Sequence, residues 1–300
     1  MKNKGLVSGF TFIKNGLKLG YPFVESIESI APLCDEVIIN IGHDPETPDD
    51  GTEEILRKTF THPKFIFIKN VWDPKLTENG LILSQQTNLA LEQCQYPIAF
   101  YIQGDEAVHQ EDYPAIHDGI IHLHNNPELE GLVFDYHHFY GNVDIIKHTR
   151  NVYRREVRII RNHIGLKSHL DAQSFRFKDG RKPQCKLLKA HIYHYGWARE
   201  SSIMDQKIKA MDKLYHGQEY ERFKNSFEYR RIWGLRPFKG THPKIMNEWI
   251  EQNRNQIDIM SLKLKMSLKD YNLALADFIE KYTGYRIGEY KSYKLLDPPL

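Results

Sequence analysis

The sequence predicts an α/β fold in which a mostly parallel sheet is flanked by helices. Short runs rich in Val, Ile and Phe alternate, along the first hundred residues, with segments whose apolar positions recur at helical spacing. The run at residues 98–102, Ile-Ala-Phe-Tyr-Ile, has no polar alternation. Such a run is typical of a strand buried on both faces of a parallel sheet.

Four strands and three helices are predicted in strict alternation in the first part of the chain. Parallel neighbours in one sheet require crossover connections, which are right-handed, and the alternating helices supply them. Pro22 lies near the expected start of the first helix, where proline is tolerated. The predicted strands are 6–13, 36–41, 65–68 and 98–102, and the helices are 22–33, 53–58 and 84–94.

The rest of the chain is predicted to add strands and then to become helical. Residues 113–124 read as a helix, 131–136 and 186–195 as strands, and 150–161 as an antiparallel strand flanked by arginines. Charged helical patterns follow, near 201–215, 218–231, 244–256 and 270–282. We therefore expect an α/β domain over residues 1–200 and a basic helical C-terminal extension over residues 201–300.

Composition indicates an ordinary soluble globular chain. Of 300 residues, 41% are apolar and 27% are charged, and no apolar run approaches the roughly 18 residues of a membrane span. The three cysteines have neither metal-site nor disulfide-framework spacing, which favours a reducing, cytoplasmic location. The apolar segment after Lys2 and Lys4 lacks a cleavage site, so we interpret it as the first strand and not as a signal peptide.

Charge is unevenly distributed along the chain. Residues 1–140 contain 9 Lys and Arg against 21 Asp and Glu, a net charge of −12, whereas residues 141–300 hold 32 against 18, a net charge of +14. Either the two halves dock against each other, or the basic half faces an anionic ligand such as a phosphorylated substrate or a lipid headgroup. Nucleic acid is not expected, because the basic half lacks an aromatic and basic RNA-binding pattern.

An acidic turn follows the central strand. Residues 103–106 read Gln-Gly-Asp-Glu, so Asp105 and Glu106 lie at the carboxyl end of a buried strand. Ligands of open α/β sheets bind at that edge. Adjacent carboxylates repel each other unless a cation or hydrogen-bond donors neutralise them, and the alternative is a solvated acidic turn. The buried strand before the pair favours a ligand site.

Three segments together resemble the nucleotide-sugar glycosyltransferases of the GT-A fold, in particular the family 2 enzymes. They are Asp50-Gly51-Thr52 after the second strand, the turn at 103–106, and His194 near the end of the late strand. The resemblance covers roughly residues 5–200. It implies that Asp50 and Gly51 belong to the donor-binding turn, that Asp105 holds a divalent metal against the sugar-nucleotide diphosphate, and that His194 completes the metal shell.

The sequence departs from the family pattern at two positions. Gln103 stands where the first Asp of the metal motif is expected, and Glu106 could compensate for the missing charge. Asn40 stands at the exit of the second strand, where an Asp often contacts the base or ribose, and its amide can still hydrogen-bond a pyrimidine edge. Asn88 matches the family's helix-entry asparagine.

The resemblance also implies the chemistry. Cleavage of the sugar–phosphate bond places negative charge on the departing diphosphate, and Mn²⁺ or Mg²⁺ held by oxygen ligands stabilises that charge. Arg199 is a candidate diphosphate clamp, with a surface arginine that caps the strand as the alternative. The expected acceptor is a saccharide or a lipid-linked molecule of a bacterial polysaccharide or lipopolysaccharide pathway. The basic extension could hold such an acceptor at the inner face of the membrane.

An inverting transfer also needs a base that accepts the proton of the acceptor hydroxyl. Asp171 lies in the irregular segment where the family keeps its base, and Asp135, His138 and Glu111 compete with it. His137 and His138 could instead form a metal pair, but neighbouring residues of a strand point to opposite faces. The same geometry separates His191 from His194, and we prefer His194 as the ligand.

Two other functions stay open. A sugar nucleotidyltransferase has a related sheet but normally a glycine-rich, arginine-bearing loop after the first strand, whereas residues 8–11 read Ser-Gly-Phe-Thr. A non-catalytic nucleotide-sugar binding protein is favoured by Gln103. The leading interpretation requires that Asp105 and His194 lie close enough to share one ion shell.

Overall fold

A computed structural model describes residues 5–45, 47–73, 75–76, 78–217, 219–220 and 226–300. Its first part consists of four strands and three helices in alternation, as predicted. The strands are β1 (Val7–Ile13), β2 (Glu36–His43), β3 (Phe65–Val71) and β4 (Ile98–Tyr101), and the helices are α1 (Phe23–Ile30), α2 (Thr52–Thr59) and α3 (Leu81–Leu91). All four strands are parallel, in the order β3-β2-β1-β4.

The following segments extend this sheet and cover it. They are β5 (Glu106–Val108), α4 (Tyr113–Asn125), β6 (Gly131–Tyr140), β7 (Asn142–Lys147), β8 (Arg155–Arg161), β9 (Lys167–His169), β10 (Ser174–Arg176), β11 (Gln184–Trp197), α5 (Ser201–His216), β12 (Leu235–Pro237), α6 (Asn247–Asn253), α7 (Leu268–Thr283) and β13 (Lys294–Leu295). Short 3-10 helices occupy Ala31–Leu33, Gln110–Asp112 and Lys244–Met246.

The sheet changes direction beyond β4. Strand β8 is antiparallel to β4, and β6 is antiparallel to both β8 and β7. The long strand β11 runs parallel to β6 and also pairs with β5 in the antiparallel sense. The predicted antiparallel strand at 150–161 is therefore present, but it begins at Arg155, because the preceding residues form turns.

Both faces of β1, β2 and β4 are buried, which explains their apolar sequences, whereas the edge strand β3 is only partly buried. In β4, Ile98 and Phe100 point into one cluster, whereas Ala99 and Tyr101 point into another. Helices α1, α2 and α4 contribute side chains to the first cluster, and α3 contributes to the second. The predicted α/β class, a mostly parallel sheet flanked by helices, is confirmed.

The C-terminal segment is less helical than predicted. Helices are present near 201–215, 244–256 and 270–282, but of the predicted helix at 218–231, residues 218 and 221–225 lie outside the described residues and 226–231 are not helical. Strands β12 and β13 pair with β7 and β11, so residues 201–300 also extend the main sheet. Among the described helices, none is long and apolar enough to cross a bilayer.

Candidate functional site

The acidic turn after β4 is fixed by local hydrogen bonds. The Glu106 amide donates to Gln103 O at 3.0 Å, and the Ser26 hydroxyl donates to the same carbonyl at 2.7 Å. Gly104 is packed so closely that an added Cβ would lie 2.8 Å from Ile13 Cδ1. The turn is therefore anchored to both β1 and α1, and it presents Asp105 at the carboxyl edge of the parallel strands.

Strand pairing brings His194 to this turn. In the antiparallel register of β5 and β11, His194 lies opposite Glu106, and the Tyr195 amide donates to Asp105 O at 2.8 Å. His194 Nε2 consequently lies 3.7 Å from Asp105 Oδ1. The expected proximity of these two side chains is present, although they are about ninety residues apart in sequence.

A chain of hydrogen bonds fixes the tautomer of His194. His138 Nε2 lies 2.7 Å from the Tyr153 carbonyl oxygen, which can only accept, so His138 Nε2 carries a proton. Burial, followed by the neighbouring His194, lowers the pKa of His138 well below its usual value, so its Nδ1 is an acceptor. His194 Nδ1 therefore donates to it across 2.9 Å. In its neutral form, His194 turns an Nε2 lone pair towards Asp105.

Two cationic side chains lie beside Asp105. Lys207 Nζ, delivered by α5, lies 2.8 Å from Asp105 Oδ2 and 2.9 Å from Gly196 O, and an Arg199 terminal nitrogen lies 3.7 Å from the same carboxylate oxygen. Burial alone would raise the pKa of Asp105, but its cationic and imidazole neighbours outweigh it and hold that pKa well below the usual range. Burial lowers the pKa of Lys207 to about 8, and Asp105 opposes this change.

Tyr21 covers both cations. The Arg199 guanidinium carbon lies 4.5 Å, and Lys207 Nζ 5.1 Å, from the centre of the Tyr21 ring, distances at which a cation is attracted by the ring face. Arg199 is 1% exposed, and none of its three side-chain nitrogens makes a well-formed hydrogen bond within the described part of the chain. It is a buried residue and does not cap the surface, as the alternative interpretation required.

Glu106 has a different role from the one predicted. It is fully buried, and both its oxygens accept from the Arg158 guanidinium, at 2.7 and 2.9 Å. Tyr136 OH and the Gln103 amide also donate to this carboxylate, at 2.9 and 3.2 Å. A metal ion could bind Glu106 only by displacing Arg158, so this carboxylate does not compensate for Gln103 in the structure.

Four of the predicted donor-binding residues hold the local structure and do not line the cavity at this edge. Asn40 is fully buried and donates to Gln86. Asp50 accepts from the amides of Lys18 and Thr52 at the start of α2. Gly51 adopts a left-handed conformation (φ 99°) before that helix, and Asn88 exchanges two hydrogen bonds with the Ser168 backbone.

A cavity of about 420 Å³ opens over the acidic turn. Its polar wall contains Gln103, Asp105, His194 and Lys207. Its apolar wall contains Phe12, near the end of β1, and Trp72, directly after β3. Leu83 and the α5 residues Met204, Ile208, Met211 and Leu214 complete this wall. The volume lies within the range of small-molecule sites, which combine apolar walls with a few convergent polar groups.

Asp171 lines the same cavity. Its Oδ2 accepts from Tyr215 OH at 3.0 Å. The two neighbouring residues, Leu170 and Ala172, both have left-handed backbone conformations, with φ angles of 52° and 61°. Such conformations are costly for residues with side chains and concentrate at functional sites. The strained segment turns Asp171 towards the cavity that also contains Asp105.

The other predicted bases lie elsewhere. Asp135 is paired with Arg155 at 2.7 Å, and the Glu111 side chain is 76% exposed. His138 is held between Tyr153 and His194, as described above. His137 points away from His138 and stacks on His191, with ring centres 4.5 Å apart, so the two adjacent histidines form no metal pair.

The expected Mn²⁺ or Mg²⁺ fits this set of side chains poorly. Asp105 Oδ1 and the His194 lone pair are suitable ligands, and their 3.7 Å separation allows a shared ion. However, Lys207 already neutralises Asp105, and Glu106 is engaged by Arg158. Within the described ranges, no three His, Cys, Asp or Glu side chains are grouped as metal ligands.

A second cavity, of about 430 Å³, adjoins the first. The two share a wall made of Tyr153, Gln173, His194 and Trp197. Among the described residues, the second cavity is lined by one carboxylate, that of Glu289, and by five cationic side chains: Lys147, Arg150, Arg154, Arg155 and Arg286. The basic half of the chain therefore faces a cavity at this position.

Sequence reasoning missed Lys207, although a signal was present. Met204, Ile208 and Met211 recur at helical spacing, and Lys207 falls within the same stripe. A lysine on the apolar face of a helix needs a buried partner, which indicates a site. The identity of that partner could not be read from the sequence, because Asp105 lies 102 residues away.

Comparison with known proteins identifies no family. No protein-family model matches the chain, and neither does any curated protein. Similar solved structures include S. aureus TarS (15% identity, TM-score 0.39, covering 69% of this chain) and TarS 1–349 in complex with UDP (15%, 0.38, 72%). The mannosyltransferase PcManGT from Pyrobaculum calidifontis, in complex with GDP-Man and Mn²⁺, is also similar (18%, 0.31, 44%). The chain spans 39%, 67% and 35% of these three structures. Likeness at this level assigns no function, and we base the proposal below on the site.

Proposed function

We propose that the protein is a glycosyltransferase that transfers a sugar from a nucleotide-diphosphate sugar to an acceptor hydroxyl. The observation that carries this proposal is the juxtaposition of Asp105, His194, Lys207 and Arg199 at the carboxyl edge of the parallel strands, with Asp171 in the same cavity. Ligands of such sheets bind at this edge. The sequence resemblance described above gives the same class of activity.

In this proposal the cavity holds the donor. Trp72 and Phe12 offer aromatic surface for the nucleotide base, with ring centres 5.9 Å apart, and the polar wall near Asp105 receives the diphosphate. Positive charge at the diphosphate is needed because the leaving group becomes more negative as the sugar–phosphate bond breaks. That charge comes either from a divalent ion held by Asp105 and His194 or from the cationic side chains at the same carboxylate.

Asp171 is the proposed base. The bond from the anomeric carbon to the phosphate oxygen breaks and leaves its electron pair on the diphosphate. The acceptor oxygen forms the new bond to that carbon, and Asp171 takes its proton. Tyr215, which donates to Asp171 Oδ2 at 3.0 Å, orients the carboxylate and leaves its other oxygen available to the acceptor hydroxyl. Inversion at the anomeric carbon follows from this arrangement of a single displacement.

The second cavity is the proposed acceptor site. It shares the wall that contains His194 with the donor cavity, so an acceptor bound there would reach the anomeric carbon. Three of its lining arginines, Arg154, Arg155 and Arg286, are paired with carboxylates, and the other two cations, Lys147 and Arg150, favour an acceptor that carries a phosphate or another anionic group. A phosphorylated, lipid-linked saccharide has that chemistry. Peripheral binding to an anionic membrane is consistent with such an acceptor. A cytoplasmic site of action also belongs to this proposal.

A panel of donors tests the proposal. Calorimetry with UDP-, GDP- and CDP-sugars, with Mn²⁺ and with a chelator, should identify a donor, and release of the nucleoside diphosphate should follow. Asp105→Asn should reduce turnover about 10²-fold or more, because the charge balance at the diphosphate changes. Asp118→Asn is the matched control, because Asp118 is a surface carboxylate that is 87% exposed.

Three outcomes contradict the proposal. They are wild-type turnover by folded Asp105→Asn, binding of a nucleotide sugar without any hydrolysis or transfer, and release of pyrophosphate from a nucleoside triphosphate and a sugar phosphate. The second outcome identifies a binding protein and the third a nucleotidyltransferase. Thermal unfolding of each variant shows whether a loss of turnover reflects a loss of folded protein.

A further inference from the structure

The carboxylate that the resemblance assigns to a metal ion is occupied by a lysine. Lys207 is 9% exposed, and its ammonium contacts both Asp105 Oδ2 and the Gly196 carbonyl. The lysine reaches this position because α5 packs its apolar stripe, including Met204 and Ile208, into the protein. The contact is thus part of the fold and is not a surface ion pair.

The local charge is positive. Asp105 contributes one negative charge, whereas Lys207 and Arg199 contribute two positive charges, with His194 counted in its neutral form. Glu106 adds no free charge, because Arg158 neutralises it. A buried cation without a partner is unfavourable unless an anion binds beside it. The cationic side chains next to Asp105 therefore outnumber that carboxylate, while two further carboxylates, Asp171 and Asp212, line the same cavity.

Arg199 indicates where that anion binds. It is 1% exposed, and its three side-chain nitrogens make no well-formed hydrogen bond to the described residues. A guanidinium normally uses its five donors, and it matches the two oxygens of a phosphate group. The guanidinium nitrogens are buried, and the ring of Tyr21, which lines the first cavity, covers one face of this group, so displacement of that ring would bring Arg199 into contact with a ligand.

A divalent ion at the same place would increase the imbalance. An ion bound to Asp105 and His194 would add two positive charges beside Lys207 and Arg199. It would also have to compete with an ammonium that lies 2.8 Å from Asp105. The diphosphate of a nucleotide sugar, in contrast, carries negative charge that would balance Lys207 and Arg199.

We propose that Lys207 and Arg199, rather than a divalent metal ion, neutralise the diphosphate of the donor, so that transfer does not require metal. This inference rests on the proposed function. The electron pair of the breaking sugar–phosphate bond stays on the diphosphate oxygen, and the lysine ammonium and the guanidinium stabilise the added charge. Asp105 positions Lys207, and His194 positions Asp105.

The test compares the wild-type protein in excess chelator and in Mn²⁺. We expect the affinity for UDP in chelator and the affinity in Mn²⁺ to differ by less than about twofold. We expect the rate of donor turnover to be equally independent of the metal. Lys207→Met should weaken UDP binding at least about tenfold in chelator, because a hydrogen bond to a charged group is lost. Lys213→Met, at an exposed position of the same helix, should bind UDP as the wild type does.

The variants separate charge from folding. Lys207→Arg keeps the charge and should retain more UDP affinity than Lys207→Met, whereas a purely structural role would make both variants equally weak. Donor turnover that appears only with Mn²⁺ would overturn the inference and leave the proposed function intact. Absence of nucleotide binding and turnover in both conditions would overturn the two together.

Discussion

Glu156 provides a test of the electrostatics beneath the two cavities. This β8 residue is fully buried, and its carboxylate accepts from Gln173 Nε2 at 2.6 Å, while Gln173 itself lines both cavities. Burial raises the pKa of Glu156 from 4.5 to about 7, and Gln173 and Arg158 offset only part of the effect. Because the folded state holds this proton more tightly than the unfolded state, the contribution of Glu156 to the free energy of unfolding is greatest below pH 4.5.

The size of the effect follows from the pKa. A tenfold difference in proton affinity is worth about 1.4 kcal/mol, so a rise from 4.5 to about 7 costs about 3 kcal/mol once the group is ionised. This stability is lost between pH 4.5 and pH 7 and stays lost above pH 7. Glu156→Gln should therefore be more stable than the wild type by about 2–3 kcal/mol at pH 8, and nearly equal to it at pH 4.5.

Urea unfolding at several pH values and constant ionic strength measures this difference. The relevant quantity is the free energy of unfolding of Glu156→Gln minus that of the wild type, because other titrating groups cancel in it. Glu92→Gln is the control, since its ion pair with Lys167 is about half exposed and should change stability by less than about 0.5 kcal/mol at any pH. A Glu156→Gln difference that stays constant from pH 4.5 to pH 8 would refute the reasoning.

Three further predictions address the base, the buried ion pair and the acceptor cavity. Asp171→Asn should lower the turnover number about 10²-fold or more without weakening UDP binding. Asp179→Asn, at an exposed position, should leave both turnover and UDP binding unchanged. Wild-type turnover by Asp171→Asn would exclude Asp171 as the base. Arg158→Met should cost about 3–5 kcal/mol in urea unfolding, because it leaves the Glu106 carboxylate buried and unpaired, and a loss under 1 kcal/mol would contradict that pairing. Arg150→Glu should raise the KM of an anionic acceptor while donor hydrolysis is unchanged, and an unaltered KM would exclude the second cavity as its site.

The sequence was sufficient to predict the parallel half of the sheet, for a physical reason. A strand that is buried on both faces has no polar alternation, so residues 98–102 stand out without any knowledge of their neighbours. The acidic turn could be placed at the carboxyl edge of the sheet for the same reason, because it comes directly after that strand in the sequence. Proximity of His194 to Asp105 was also expected, from resemblance rather than from spacing.

The cationic partners of Asp105 and Glu106 could not be predicted, because these ion pairs depend on tertiary structure. Arg158 meets Glu106 across strands that are 52 residues apart in sequence, and Lys207 meets Asp105 only because α5 folds back over the turn. Asn40 was misplaced for a related reason. The predicted strand ends at residue 41, whereas β2 continues to His43, so Asn40 lies inside the strand and its side chain contacts the adjoining Gln86.

A crystal structure of the protein with UDP and Mn²⁺, with anomalous data for the metal, is the most direct measurement. We predict that the diphosphate lies in the first cavity, with its oxygens within hydrogen-bond distance of Lys207 and Arg199 and with no manganese peak at Asp105. A diphosphate bound away from the turn at 103–106, or one bridged to Asp105 and His194 by manganese with Lys207 displaced, would contradict this assignment.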